Sequence, residues 1–170
     1  KYNMLIARME PENNIETILD GVLLSKSKKP FIVIGKTNNN FGKYLSNKYK
    51  GNDQIVFLEG IYNIEVLNCL RFFSNLYFHG HSVGGTNPSL LEAMSSSSLI
   101  VAHNNCFNKY ILENDGYYFS DKEEVSDYLD SLNKKDHTKK VENILKKIQT
   151  KYNWHNINKE YTNYFIECLN

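Results

Sequence analysis

Residues 76–94 read LYFHGHSVGGTNPSLLEAM, and the fold turns on how they are read. Residues 76–78 are a short apolar run with the length and composition of a buried strand. Small and polar residues follow: His79, Gly80, His81, Ser82, Gly84, Gly85 and Thr86. Asn87-Pro88 then predicts a helix start, with Asn87 as N-cap and Pro88 at the first helical position. A strand, a glycine-rich loop and a helix in that order bring free backbone N–H groups and the positive end of a helix dipole to one point, where anions bind. Glu92 falls one turn further along the same helix face. A carboxylate there can accept hydrogen bonds from the vicinal hydroxyls of a sugar. The pattern suits a ligand that carries both phosphate and polyol, a nucleotide or nucleotide-sugar. By itself the loop is weak grounds, because two glycines before a helix also make a plain tight turn and an early Glu also makes a plain dipole contact.

The segments on either side supply the context. A first strand is expected over residues 2–7 (YNMLIA), ended by a polar loop containing Arg8, Pro11, Asn13 and Asn14. Ile15, Ile18, Leu19, Val22 and Leu23 recur at helical spacing. The unbroken apolar run 31–34 (FIVI) ends at Gly35 and precedes a short helix reaching Tyr49. Residues 54–58 predict a third strand, closed by Glu59-Gly60-Ile61, and residues 64–73 a helix with Val66, Leu67, Leu70 and Phe73 on its apolar face. Further strands are expected over 76–78, 99–102 and 116–119, with a short helix over 104–112. Beyond residue 120 the pattern is helical throughout, over 121–132, 137–152 and 154–169. Continuously apolar strands alternating with helices indicate a parallel sheet covered on both faces. The expected architecture is an α/β, Rossmann-like core over residues 1–120 with a helical C-terminal extension over 121–170. Ligands of such sheets bind beyond the carboxyl ends of the strands, where Arg8, Gly35, Gly60 and the 79–86 loop all fall.

The 170 residues carry 20 Lys and Arg against 19 Asp and Glu, so no general affinity for nucleic acid is indicated. No apolar run approaches the ~20 residues of a membrane span, and no signal peptide opens the chain. Cys69, Cys106 and Cys168 are isolated, without metal-binding spacing, and are expected to be buried free thiols in a reducing, cytoplasmic compartment.

The chain resembles the C-terminal, donor-binding domain of the retaining GT-B glycosyltransferases of the family-4 (group 1) type. The residues that carry the resemblance are Ala7-Arg8-Met9-Glu10-Pro11-Glu12-Asn13-Asn14-Ile15, Val33-Ile34-Gly35, Val56-Phe57-Leu58-Glu59-Gly60, Ser89-Leu90-Leu91-Glu92-Ala93-Met94 and Tyr152-Asn153-Trp154. The string from His79 to Ser89 is similar to a subgroup of bacterial rhamnosyltransferases that build capsule and surface polysaccharides. The resemblance implies one half of a GT-B fold, with the acceptor half lying outside this chain and this piece alone inactive in transfer. It implies a nucleoside-diphosphate sugar as donor, a saccharide or lipid-linked acceptor, and no cofactor or metal; no DxD motif is present.

Carried onto individual residues, the resemblance assigns Arg8 to the donor diphosphate and Glu92, the second of the family's two glutamates, to the nucleotide ribose. The first glutamate falls on Gly84, so that carboxylate is missing; His81 and the Gly84-Gly85-Thr86 backbone are the expected substitutes. The family's phosphate lysine falls on Asn13 or Asn14, which can donate a hydrogen bond but cannot neutralise charge. Gly60 and Ile61 match the loop whose backbone touches the nucleobase. Arg8 and Glu92 are therefore the expected catalytic pair, and Asn13, Gly35, Gly60, Ile61, His81, Gly84, Gly85, Thr86, Asn87, Ser89 and Glu92 the expected substrate contacts.

Other features have plainer readings. His103 caps a turn or faces the ligand, and Trp154 is expected to anchor the last helix. Lys139, Lys140, Lys146, Lys147 and Lys151 flank an apolar stripe and read as the solvated face of a packed helix, with peripheral contact to the inner face of an anionic membrane as the alternative. A non-catalytic Rossmann-like module for regulation or assembly is the competing function. A dinucleotide oxidoreductase is disfavoured, because no GxGxxG follows the first strand.

Overall fold

A computed structural model describes residues 1–169. Six strands, β1 (Asn3–Ile6), β2 (Phe31–Ile34), β3 (Ile55–Leu58), β4 (Tyr77–His79), β5 (Ile100–His103) and β6 (Tyr117–Phe119), form one sheet in the order β3-β2-β1-β4-β5-β6. Every neighbouring pair is parallel, and Leu5 stands in register with Val33 on one side and Phe78 on the other. The described residues form eight α-helices: α1 (Ile15–Leu24), α2 (Asn40–Lys48), α3 (Ile64–Phe73), α4 (Pro88–Ser95), α5 (Cys106–Leu112), α6 (Lys122–Ser131), α7 (Thr138–Thr150) and α8 (Trp154–Leu169), of which the first seven pack on the sheet. The Rossmann-like α/β fold expected from the alternating pattern is the one observed.

Successive strand residues point to opposite faces, and each face has its own core. Leu5, Phe31, Val33, Phe78, Val101 and Phe119 pack under α1, α2 and α6, through Ile18, Leu19, Val22, Leu45, Val125 and Leu129. Met4, Ile34, Tyr77, Ile100 and Ala102 pack under α3, α4, α5 and α7, through Leu67, Leu90, Ala93, Ile111, Leu112 and Ile144. Within the stretch read as a helical extension, α6 thus lies against α1 and α7 against α4. Two of the lysines there are engaged by side chains of the core domain: Lys147 of α7 bridges Glu113 and Asp115, and Lys151, just past its end, stands over the ring of Tyr110.

Several expectations are corrected. Cys69, Cys106 and Cys168 are exposed rather than buried: Leu67 and Arg71 take the buried face of α3, Asn108, Ile111 and Leu112 that of α5, and α8 buries no residue. Trp154 is 78% exposed and α8 buries none of its residues, so Trp154 anchors nothing among the described residues. On α3, Leu67 and Arg71 take the buried face while Val66 and Phe73 point outward. No helix among the described residues is long and apolar enough to cross a membrane.

Candidate functional site

β1 and β4 are neighbours, but the chain builds outward from them in opposite directions, so the loops leaving their carboxyl ends diverge and open a crevice. The β1–α1 and β4–α4 loops are laced together on one side of it. Asn14 Nδ2 donates to the Gly80 carbonyl at 2.8 Å, and Ser82 donates through both its N–H and its hydroxyl to the Glu12 carbonyl. The approach demands glycine: a Cβ on Gly80 would stand 1.9 Å from the Asn13 carbonyl oxygen, and one on Gly35 would stand 2.2 Å from that of Ala7.

The crevice is a cleft of about 760 Å³, within the range of small-molecule sites. Of the residues expected to meet a ligand, it gathers Arg8, Asn13, Gly35, Gly60, Ile61, His81, Asn87, Ser89 and Glu92. Gly84, Gly85 and Thr86 are exposed and do not line it. The Arg8 side chain is exposed, and its guanidinium makes no hydrogen bond or ion pair with a described residue. A second cation, overlooked in the sequence, lines the same cleft: Lys36, directly after the Gly35 that follows β2. Its ammonium lies 5.4 Å from the Tyr62 ring centre, and the Tyr62 hydroxyl holds it above the ordinary lysine range. The signal was available, as a lysine next to a glycine at a strand's carboxyl end, but it lies far along the chain from Arg8.

The start of α4 differs from expectation. Pro88 has no N–H, Ser89 N donates to the Asn87 side chain at 2.9 Å, and Leu90 N and Leu91 N donate to the Asn87 carbonyl. Capping therefore consumes the first-turn donors that were expected to be free, and leaves the dipole and the amides of the preceding loop. Gly84 has φ +90°, a conformation that a glutamate adopts only with strain, so a carboxylate at this position would oppose the loop's own geometry. A Cβ at Gly84 would have His81 Nε2 as its nearest neighbour, at 3.8 Å.

Asn13 is a scaffold. Its Nδ2 donates to the Arg8 carbonyl at 2.8 Å, which fixes Oδ1 as the acceptor facing His81 Nδ1 at 2.9 Å. In the neutral ring, His81 thus carries its proton on Nδ1 and presents a lone pair on Nε2. His79, one pleat deeper, is buried; its Nε2 has no hydrogen-bond partner among the described residues. Burial, and then the nearby charge of His81, pushes the His79 pKa down to about 3, so it stays neutral. His103 lies outside the cleft lining, half-buried, edge-on to Phe119.

Glu92 is not alone. The guanidinium of Arg71, only 1% exposed on α3, reaches its Oε2 at 2.5 Å from Nη2, while Glu92 itself remains 43% exposed. Sequence reading missed Arg71 because it sits inside an apolar helix pattern, among Leu67, Leu70, Phe72 and Phe73. The cleft can therefore do two things chemically. It offers unshielded positive charge at Arg8 and Lys36 to an anion, and hydrogen-bond acceptors at Glu92 and His81 to hydroxyls.

The sequence profile of the family described as "Glycosyl transferases group 1" matches residues 1–151. The chain belongs to the glycosyl transferase group 1 family. No curated protein matches the chain by sequence. Among solved structures, the C-terminal domain of the group 1 family protein LpcC from Francisella tularensis superposes with a TM-score of 0.75 at 22% identity, over 91% of this chain and 87% of that one. Anabaena HepE, solved in complex with UDP-glucose, gives a TM-score of 0.84 at 13% identity, over 98% of this chain and 48% of its own. Sucrose-phosphate synthase from Thermosynechococcus elongatus gives 0.80 at 14% identity, over 99% and 46%. The group 1 chain described here thus spans about half the length of the last two proteins, and at these identities the likeness is one of fold.

Proposed function

We propose that this group 1 domain binds a nucleoside-diphosphate sugar and supplies the donor half of a retaining GT-B glycosyltransferase. The observation that carries the reading is the meeting of an unpaired guanidinium, Arg8, with the Glu92 carboxylate in one cleft at the switch point of the sheet. The diphosphate would lie toward Arg8 and Lys36, the nucleotide sugar against Glu92, and the base along Gly60, Ile61 and Tyr62. His81 would face the transferred sugar, with Asn13 holding its ring and the Gly84-Gly85-Thr86 amides closing over the phosphates. As the glycosidic bond breaks, negative charge gathers on the departing diphosphate. The Arg8 guanidinium would stabilise that charge more in the transition state than in the ground state, without a protein nucleophile or a metal.

The finer reading is rhamnose from dTDP-rhamnose, transferred to a saccharide or lipid-linked acceptor during assembly of a bacterial capsule or surface polysaccharide. It is supported by the 79–89 string. The acceptor would be held by a second half outside this chain, so this domain would bind donor and transfer nothing. The enzyme would work in the cytoplasm, peripherally on the inner face of the membrane.

The test is a thermal-shift screen of the full-length protein with UDP, GDP and dTDP and their sugars. A ligand at a hundred times its Kd adds about 2.7 kcal/mol, which in a domain of this size is several degrees. The expected outcome is a shift with one nucleotide, with affinity reduced about tenfold or more in Arg8→Ala, which removes a charged contact. No shift with any of them would overturn the donor-site reading and favour the non-catalytic module.

A further inference from the structure

The donor-site reading explains Glu92 but not Arg71. A fully buried guanidinium is costly unless it is paired, and its partners here are few. Nη1 donates a 3.2 Å hydrogen bond to the Asn68 side chain, Nε is buried with no hydrogen-bond partner among the described residues, and Tyr77 lies beside the group with its ring centre 6.0 Å away and its hydroxyl in hydrogen-bond reach. Among the described residues its one counter-charge is Glu92 Oε2. A pair that only joined α3 to α4 would be served as well by a carboxylate sunk beside the guanidinium. Here the carboxylate stands at the cleft wall, 43% exposed, with Oε1 accepting no hydrogen bond from a described residue.

We infer that Arg71 is a positioning residue of the nucleotide site: it holds Glu92 through Oε2 so that Oε1 faces the cleft for a hydroxyl of the nucleotide's ribose or deoxyribose. The inference rests on the donor-site reading above and goes beyond it. The same contact has a second consequence. An unpaired carboxylate beside the cleft would repel a diphosphate, and a guanidinium 2.5 Å away offsets that charge where the ligand approaches. The anionic donor then meets the net positive field of Arg8 and Lys36. Arg is suited to this task because its planar fork fixes a carboxylate's orientation, which the single point charge of a lysine does not.

The readout is discrimination, which loss of fold stability does not mimic. Affinities of the full-length protein for UDP, GDP and dTDP are measured by calorimetry beside those for their 2′,3′-dideoxy counterparts, which lack the hydroxyls. The native protein is expected to prefer the hydroxyl-bearing form of the nucleotide it binds by about tenfold or more, the worth of a hydrogen bond to a charged group. In Arg71→Met that preference should collapse to the level of Glu92→Ala, with both ligands bound more weakly. In Arg71→Met with Glu92→Gln the dideoxy affinity should return, because the uncompensated charge is gone. Should Arg71→Met fail to fold, Arg71→Gln is measured in the same way. A folded Arg71 variant that keeps the native preference overturns this inference and leaves the donor site standing. A native protein that binds none of the three nucleotides overturns the donor-site reading, and this inference with it.

Discussion

His79 shows how one residue reports on the site. It ends β4 with its ring buried, and its pKa is held near 3, against about 6.5 for a histidine in an unfolded chain. Between those values the unfolded chain binds a proton that the fold refuses, so stability is complete above about pH 6.5 and falls as the pH drops toward 3. From pH 7 to pH 5 the loss from this ring is about 2 kcal/mol. Replacing it by an apolar ring of similar size, His79→Phe, also removes the unpartnered Nε2, so the variant should lose far less stability over the same interval. Urea unfolding of both proteins at the two pH values measures this. Equal losses would mean that the ring is solvated and titrates normally. The carboxylates of Glu16, Asp20 and Asp115 are held below their usual range by partners such as Lys48 and Lys147. They contribute mainly at lower pH and act alike in both proteins.

At the scale of elements, the tightest join is that of α1 with α6. Gly21 lies in the middle of α1, where glycine is normally worth about 1 kcal/mol less than alanine. The reason for it is contact: a Cβ here would stand 2.5 Å from Val125 Cγ1 and 2.8 Å from the Lys122 carbonyl oxygen. Because one of those neighbours is backbone, it cannot step aside, and Gly21→Ala should cost a net ~1–3 kcal/mol despite the better helix propensity. Adding Val125→Ala removes Cγ1, the nearest obstacle, and leaves the Val125 Cβ at 2.6 Å and the carbonyl, so the two substitutions together should cost somewhat less than their sum. Denaturant midpoints of the single and double variants decide this, and simple additivity would mean the helices do not touch at that point. The same scale shows why strands were easier to read than the site. Runs such as FIVI at 31–34 are short, wholly apolar and closed by glycine, and β2 has those bounds. Helix α3 was located correctly, yet periodicity gave no hint that its buried face carries a charge, because Arg71 is recognisable only from the Glu92 that meets it across space. The capping at Asn87 was legible, whereas its price in free N–H donors follows only from seeing where each bond goes.

For the whole molecule, sequence pattern says that a helix has an apolar face but not what lies against it. The Trp154 and cysteine expectations failed on that point. Helix α8 carries Trp154, Tyr161, Tyr164 and Phe165, each more than half exposed, and buries no residue. Its amphipathic pattern would have been read the same way had it been packed. The consequence can be measured on residues 1–170. All three cysteines lie at the surface, on α3, α5 and α8, far apart in sequence and without a disulfide. Thiols at the surface can attack a reagent in solution, whereas buried ones do not. The native domain should therefore react at three thiols with an aromatic disulfide reagent, as many as the urea-unfolded chain offers, and Cys168→Ser should reduce the count to two. Iodide should quench the single tryptophan, Trp154, as it does one in open solvent. If Cys69 and Cys106 react while Cys168 and Trp154 are shielded, α8 is covered in solution, by this domain or by a second copy, and a dilution series separates the two. Protection that fades on dilution identifies the second copy, since only an intermolecular contact depends on concentration.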